Sequence, residues 1–381
     1  MKNLLMKKKG LPKGQKMRSS NAFFGLRDKN LIEKAIRKIR SLELKKKINI
    51  MEVCGTHTYT FFRFGLKKLL PDNINLISGP GCPVCITEDT FIDKAIFLCK
   101  DKRNIIVTFG DLIKVKGTSG SLEESRAHGA NVSVIYSPSE ALSLAHENPQ
   151  KRIIFLAVGF ETTAPLTASI LKEAQKNKLN NFFVLSAHRV IPPAMNVLCQ
   201  DPEINIDGFL CPGHVSAIIG EKPYKEIVKK YHKPCVICGF EPLDMVLSIY
   251  KICLQVRDGN YKFENEYNRV VKPNGNLSAM KLIGEVFDVK DARWRGFGVI
   301  EKSGLFINER YKNFDAEKLI DKPLTFGKTK NINCRCIDVV KGKIRPPECP
   351  QFKKRCTVDN PLGPCMVSFE GSCRIYYEYS A

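Results

Sequence analysis

Eight short runs of apolar and β-branched residues recur along the chain, and each ends in a loop that contains glycine, proline or histidine. A helical pattern follows most of them. Strands that alternate with helices predict parallel sheets made of βα units. We therefore expect an α/β fold with two four-stranded parallel sheets that meet near residues 147–151, and a single eight-stranded barrel is the alternative. The runs are Ile48–Val53, Ile74–Ile77, Ile105–Phe109, Val132–Tyr136, Ile153–Val158, Phe182–Leu185, Gly208–Leu210 and Cys235–Ile237.

This rhythm also predicts the domains. Residues 1–28 are expected to be a basic N-terminal extension, residues 29–148 a first α/β domain and residues 149–250 a second. The rhythm changes after Tyr250, so residues 251–381 are expected to form a third, C-terminal domain. The apolar spacing over residues 29–46 predicts an amphipathic helix before the first strand.

The formal net charge of +22 raises the question of nucleic-acid binding. The basic excess is concentrated near the N-terminus and otherwise scattered, and no nucleic-acid-binding motif accompanies it. No apolar stretch approaches the roughly 20 residues of a membrane helix, and no signal-peptide core is present. We therefore expect a cytoplasmic protein that binds neither nucleic acid nor a membrane, with most of its thiols reduced.

Six of the 15 cysteines fall in the last 48 residues. Four of them have the spacing C-x14-C-x6-C-x16-C, and four thiolates can hold a [4Fe–4S] cluster. The remaining two could form a dithiol beside that cluster. A four-cysteine zinc site with two spare thiols is the alternative. The spaced four are Cys334, Cys349, Cys356 and Cys373, and the remaining two are Cys336 and Cys365.

Two further motifs place thiols directly after predicted strands. Cys82 and Cys85 follow a Gly-Pro-Gly turn near the start of a helical pattern, where a lowered thiol pKa favours a redox-active pair. Zinc binding, with Cys235-x2-Cys238 as the other half of the site, is the alternative. Cys54 could bind a metal or act as a nucleophile, with His57 as its base or hydrogen-bond partner.

Four other polar residues after strands are candidates for the same cleft, because parallel α/β sheets bind ligands where their strands end. Both glutamates follow Gly-Phe and could instead cap the helices that come next. The two histidines could equally have structural roles. These residues are Glu161, His188, His214 and Glu241.

Taken in order, these motifs resemble the HypD family, which matures the metal centre of [NiFe]-hydrogenases. The resemblance covers about residues 27–381. Many members have a second histidine where this chain has Tyr59, and many read V-T-P where this chain has Ile86-Thr87-Glu88. The matching segments are CGTHT with FRFG after it, LISGPGCPVC, VTFGD, VGFETTAP, PGHVS, GFEPLD, WRGFG and PLGPCMVSFEGSC.

The resemblance implies a three-domain fold, two domains of which are α/β, with a tail similar to the cluster site of ferredoxin:thioredoxin reductase. It implies a scaffold that assembles an Fe(CN)2CO unit together with a small HypC-type chaperone, and a HypE-type protein that delivers cyanide. The finished unit passes towards the hydrogenase large subunit. Such a protein is an assembly factor with redox activity rather than a conventional turnover enzyme.

The resemblance also implies residue roles. Cys54 holds the iron jointly with a chaperone cysteine, and His57 lies beside it. Cys82 and Cys85 form a redox dithiol that receives electrons from the cluster through a second dithiol, Cys336 and Cys365. The cluster ligands are Cys334, Cys349, Cys356 and Cys373. A cluster-driven thiol–disulfide reductase and a zinc-binding interaction module are the rival functions.

Overall fold

The computed structural model describes residues 25–320, 324 and 333–380. Most of the predicted N-terminal extension lies outside this part of the chain. All eight predicted strands are present, which confirms the α/β class. The strands are β1 Ile48–Glu52, β2 Ile74–Ser78, β3 Asn104–Phe109, β4 Val132–Ile135, β5 Arg152–Gly159, β6 Phe182–Arg189, β7 Gly208–Pro212, β8 Cys235–Cys238, β9 Phe263–Asn265, β10 Phe287–Trp294 and β11 Gly298–Ile307.

The strands form two open sheets, so the barrel alternative is wrong. One sheet has the order β2-β1-β7-β8-β9, and all of its strands are parallel. The other has the order β10-β11-β6-β5-β3-β4, with four parallel strands and an antiparallel hairpin at one edge. The expected division into four early and four late strands is also wrong. The chain leaves the first sheet after β2 and returns to it at β7. The order of strands along the sequence does not fix their lateral order in a parallel sheet, so the spacing could not reveal this return.

Part of the predicted C-terminal domain extends these sheets. β9 adds an edge to the five-stranded sheet, and β11 pairs with β6 through Gly304–Arg189 and Leu305–His188. The cysteine-rich residues 333–380 contribute no strand to either sheet. The boundaries predicted at residues 148 and 250 therefore do not coincide with the boundaries of the sheets.

Helices cover the outer faces of both sheets, and a shared core lies between them. Side chains along β5 show this division, since Leu156 faces the shared core and Phe155 faces the outer layer. The helices are Lys29–Arg40, Gly55–Arg63, Pro83–Ile86, Asp89–Cys99, Leu122–Ala127, Pro138–Glu147, Ala164–Lys176, Ile191–Gln200, Gly213–Ile219, Lys222–Tyr231, Pro242–Asp258, Leu277–Val286, Cys336–Val340, Pro364–Val367 and Ser372–Tyr379.

The first of these helices is shorter than the apolar pattern predicted. Asp28 caps it by accepting hydrogen bonds from the N–H groups of Asn30 and Leu31. The helix ends at Arg40, and the N–H of Ser41 closes it by donating to the carbonyl oxygen of Arg37 at 3.0 Å. In the described part of the chain, no helix is both long enough and apolar enough to cross a membrane.

Glu52, the last residue of β1, is a buried carboxyl group that no sequence motif indicated. It is 2% exposed, and its Oε2 atom has no hydrogen-bond partner among the described residues. Burial raises the pKa of this carboxyl to about 8, and a hydrogen bond with Thr58 opposes only part of the rise. The folded protein therefore keeps a proton that the unfolded chain releases near the ordinary glutamate pKa of about 4.3.

We expect the Glu52 carboxyl to make the folded state less stable as pH rises from about 5 to 8. The folded state binds more protons than the unfolded state in this range, so the free energy of unfolding falls with pH. The Glu52→Gln variant lacks this titrating group. The slope of its free energy of unfolding against pH should therefore be less negative by up to about 1.4 kcal/mol per pH unit. Urea denaturation at several pH values measures the slope. The exposed Glu173→Gln is the matched control, and equal slopes in Glu52→Gln and the unsubstituted protein would contradict this assignment.

Candidate functional site around Cys54

Cys54 lies where β1 passes into the helix Gly55–Arg63, and its side chain is buried. The Gly-Pro-Gly loop after β2 crosses directly over it. The N–H of Gly79 donates to the carbonyl oxygen of Glu52 at 2.9 Å. A Cβ atom on Gly81 would lie 2.5 Å from the Cα of Cys54 and 2.7 Å from its nitrogen, so only glycine fits at that position.

The same loop continues into Cys82 and Cys85, which are joined by a disulfide bond. Their Cα atoms are 5.3 Å apart. The Sγ of Cys82 accepts a hydrogen bond of 3.2 Å from the N–H of Cys85, at the start of the helix Pro83–Ile86. Both residues are buried. The two thiol motifs of the sequence therefore meet through Gly81.

The C-terminal tail approaches Cys54 from another side. A Cβ atom on Gly55 would lie 2.8 Å from the Cβ of Glu370, and Thr56 Oγ1 donates to Glu370 Oε1 at 3.4 Å. Ser368 Oγ donates to Asp111 Oδ2, also at 3.4 Å. The tail thus places one carboxyl group, that of Glu370, near Cys54, and a second, that of Asp111 in the loop after β3, lies near Glu370. Both belong to sequence motifs, VTFGD and SFEGSC, but the sequence alone did not indicate a role for either carboxyl group.

Burial and negative charge together keep the Cys54 thiol protonated. Burial raises the pKa of Cys54 to about 12, the charge of Glu370 adds to the rise, and hydrogen bonds from Thr56 and His57 oppose it. Burial also raises the pKa of Glu370, with a further contribution from Asp111. A bound cation would reverse this balance, because it stabilises thiolate and carboxylate alike.

Removing the charge of Glu370 should make Cys54 easier to deprotonate. We expect Glu370→Gln to lower the pKa of the Cys54 thiol and to speed its alkylation at pH 9 by up to about tenfold, because more of the thiol is then present as thiolate. Iodoacetamide labelling followed by mass spectrometry of the Cys54 peptide measures the rate. The exposed Glu33→Gln is the control, and an unchanged rate in Glu370→Gln would show that this charge does not act on Cys54.

His57 is buried on the same helix, but its ring is directed away from Cys54. Its Nε2 lies 3.1 Å from the carbonyl oxygen of Cys238, and the ring stacks on Phe240 with centroids 4.9 Å apart. His214 stacks on Phe240 as well, at 3.8 Å. Burial lowers the pKa of His57 to about 4, so the ring is neutral at physiological pH. Neither ring nitrogen is hydrogen-bonded to the Cys54 thiol.

Glu241 occupies the N-cap position of the helix Pro242–Asp258, but its side chain makes no capping hydrogen bond. Its N–H donates to Asp244 Oδ2 at 3.2 Å, while its carboxylate pairs with the Arg27 guanidinium at 2.5 and 2.9 Å. Cys235 and Cys238 face opposite cores of the five-stranded sheet. They therefore cannot together complete a zinc site with Cys82 and Cys85.

Glu161 and His188 lie at the ends of β5 and β6, in the six-stranded sheet, whereas Cys54 follows a strand of the other sheet. Glu161 does not cap the helix that follows it. It accepts the N–H of Ile191, which starts the next helix, at 3.0 Å, and burial raises its pKa to about 7. His188 Nε2 lies 2.9 Å from Thr167 Oγ1, and burial lowers its pKa to about 4.

The tail cysteines lie close to one another, and two of them pack against Gly363. A Cβ atom on Gly363 would lie 2.8 Å from Cys334 Sγ and 3.3 Å from the Cβ of Cys336. The N–H of Cys373 donates to Cys365 Sγ at 3.5 Å. Burial and neighbouring thiols raise the pKa of Cys334 to about 12, and Cys349 and Cys356 are among those neighbours. The closeness of these soft donors is compatible with a cluster.

No group of three or more His, Cys, Asp or Glu side chains in the described residues is arranged to hold a metal ion. The ligand set for a [4Fe–4S] cluster and the likeness to ferredoxin:thioredoxin reductase therefore stay predictions.

The tail thiols lie against the helix that carries Cys85. The helices Cys336–Val340 and Pro364–Val367 both contact the helix Pro83–Ile86. Arg295, in the loop between β10 and β11, holds the end of this helix, because its N–H and Nε donate to the carbonyl oxygens of Ile86 at 2.8 Å and Thr87 at 2.7 Å. The motif WRGFG contains Arg295, but the sequence alone indicated no role for it.

Comparisons with known proteins show which family the chain resembles. A family model described as HypD, Hydrogenase formation hypA family, matches residues 30–380. A putative hydrogenase expression/formation protein of Methanocaldococcus jannaschii is 45% identical over 355 residues, which cover 93% of this chain and 98% of that protein. Hydrogenase maturation factor HypD of Escherichia coli is 42% identical over 340 residues, 89% of this chain and 91% of that protein.

A third relative, hydrogenase maturation factor HypD of Cupriavidus necator, is 41% identical over 345 residues, which cover 88% of this chain and 90% of that protein. The matched residues contain the cysteines of every motif described above. The family match spans nearly the whole chain and the relatives are matched over nearly their whole length, so the chain belongs to the HypD family of hydrogenase formation proteins.

Proposed function

We propose that this hydrogenase maturation factor is an assembly scaffold. With a small HypC-type chaperone it holds iron at Cys54 while two cyanides and one carbon monoxide are added, and a HypE-type protein delivers the cyanide. The Fe(CN)2CO unit then passes towards the hydrogenase large subunit. The observation that carries the proposal is the meeting of the Gly81 loop, the Cys82–Cys85 disulfide and the Glu370 carboxyl at one buried thiol.

Cys54 acts in this proposal as a thiolate ligand. Its proton must leave as ferrous iron binds, since only deprotonated sulfur coordinates metal strongly. Glu370 is a neighbouring carboxylate that can accept this proton, and Thr56 holds its Oε1 by a hydrogen bond. The neutral ring of His57 leaves no positive charge to compete with the metal.

The dithiols supply reducing equivalents to the site. Reduction of the Cys82–Cys85 disulfide takes up two electrons and two protons and leaves two thiols, while Cys336 and Cys365 lose the same number as they form a disulfide. The contact between their helices supports this exchange. Cys334, Cys349, Cys356 and Cys373 would hold a [4Fe–4S] cluster, which when bound supplies single electrons.

The same contact also supports a second candidate, a thiol–disulfide reductase driven by the cluster. That function needs an accessible route from Cys82 or Cys85 to a partner disulfide and no iron at Cys54. It predicts turnover of a disulfide substrate by protein that contains only cluster iron.

An infrared spectrum of the anaerobically purified complex with the chaperone tests the proposal. Stretching bands of both cyanide and carbon monoxide are expected, from a brown protein that contains more iron than one cluster. A brown protein that lacks both bands after co-production with the other maturation proteins would favour the reductase. A colourless protein with stoichiometric zinc would exclude the cluster.

A further inference from the structure

A cavity of about 210 Å³ lies at the carboxyl ends of β3 and β5. From β3 the chain moves outward to β4, whereas from β5 it moves in the opposite direction to β6. The strand order therefore reverses between β3 and β5. Such a reversal leaves a crevice above the sheet, and parallel α/β sheets bind their ligands in crevices of this kind. We call this cavity the switch-point crevice.

The walls of the switch-point crevice are mainly apolar and come from two motifs. Leu156 on β5 is fully buried, and Val158 lies two residues further along the strand. Pro83 and Val84, which lie between the two cysteines of the disulfide, form the facing wall. The crevice therefore separates the six-stranded sheet from the disulfide helix.

The crevice reaches the group of residues that surrounds Cys54. Asp111 lines it and accepts the hydrogen bond of Ser368. Glu370 follows two residues later and is hydrogen-bonded to Thr56, next to Cys54. On the other wall, Pro83 lies two residues after Gly81, which packs on the Cys54 backbone. Both walls are therefore continuous with segments that contact Cys54 or its neighbour Thr56.

Charge restricts what the crevice can hold. Of the described residues that line it, Asp111 alone is ionisable, and neither lysine nor arginine is among them. An anion would meet apolar walls and a carboxyl group without a compensating cation. The volume is nonetheless ample for a small neutral molecule, because an apolar cavity of about 150 Å³ binds benzene or xenon.

We propose that the switch-point crevice holds a small neutral molecule. This inference rests on the proposed function, under which the occupant is carbon monoxide on its way to the iron. The crevice concentrates carbon monoxide close to the segments that surround Cys54. Cyanide is an anion, so it needs another route.

Xenon tests the crevice without any dependence on iron. Crystals of the full-length protein under xenon pressure should show a xenon atom between Val84 and Leu156. Val158→Phe fills the space and should abolish that site, whereas Val158→Ala should keep it. Val299→Phe, at an exposed position of the same sheet, controls for the added ring. Absence of xenon from the crevice in the unsubstituted protein would overturn the proposal.

The rate at which carbon monoxide is added to the iron tests whether the crevice delivers it. In the complex with the chaperone, Val158→Phe should slow the growth of the carbonyl infrared band at least tenfold under limiting carbon monoxide, and the cyanide bands should grow at the normal rate. Val158→Ala and Val299→Phe should load normally. An unchanged carbonyl rate in a Val158→Phe variant that has lost its xenon site would overturn the role of the crevice. If neither the unsubstituted complex nor any variant shows a cyanide or carbonyl band, the proposed function fails. The xenon experiment then decides on its own whether the crevice binds neutral molecules.

Discussion

Replacing Cys54 with alanine is expected to remove every cyanide and carbonyl band from the purified complex and to reduce its iron to the content of the tail cluster. Cys54 is the thiol on which the Gly81 loop, the disulfide and Glu370 converge. Deleting its sulfur leaves carboxyl and hydroxyl oxygens, which are poor ligands for low-spin iron carrying cyanide. We expect at least a hundredfold loss of band intensity, measured by infrared spectroscopy and metal analysis.

Two further variants test whether the effect is specific to the Cys54 thiol. Cys54→Ser keeps an oxygen that can cap the helix Gly55–Arg63, so it should fold normally and still lose the bands. Cys199→Ala, at a half-buried cysteine with no assigned role, should keep them. Both variants should stay brown. Persistence of the bands in a folded Cys54→Ala complex would mean that the iron is held elsewhere.

Replacing Gly81 with alanine is expected to disrupt the site strongly, although it adds only one methyl group. The new Cβ atom would lie 2.5 Å from the Cα of Cys54, and a backbone atom cannot turn aside as a flexible side chain can. The loop must therefore move, and the disulfide moves with it. We expect a loss of about 2–3 kcal/mol in the free energy of unfolding and little or no ligated iron. Urea denaturation and the infrared spectrum measure the two effects.

Gly284 provides the matched control for Gly81. It lies within the helix Leu277–Val286, and a Cβ atom there meets nothing within 4 Å. Gly284→Ala should leave the bands intact and stabilise the protein by about 0.5–1 kcal/mol, because alanine favours helix. If Gly81→Ala were as stable and as fully loaded as Gly284→Ala, the close approach of the loop to Cys54 would be wrong.

The local elements could be predicted because their signals are local. Runs such as Ile48–Val53 and Cys235–Ile237 carry β-branched or apolar residues between turn residues, and each is a strand. The pairing of strands was not predictable in this way. β1 has β2 on one side and β7 on the other, and nothing in the spacing of 48–52 indicates a neighbour at 208–212.

The same distinction between local signals and long-range packing applies to the candidate site. Cysteines in short motifs are visible in a sequence, so Cys54, Cys82 and Cys85 could be identified as candidates before the fold was known. The carboxyl groups of Asp111 and Glu370 gain their significance only from packing between segments that are 259 positions apart. The direction of the His57 ring depends on Phe240 and the Cys238 carbonyl group, which a motif cannot specify.

The interleaving of the two sheets has a consequence for biosynthesis. When residues 48–78 leave the ribosome, β1 and β2 form only a two-stranded parallel ribbon, because their third strand is made some 130 residues later. An isolated pair of strands is marginal at best in water. The nascent chain therefore carries an unfinished sheet edge and an uncovered Cys54 until β7 and the tail have been translated, and only then can the thiol acquire its protected environment.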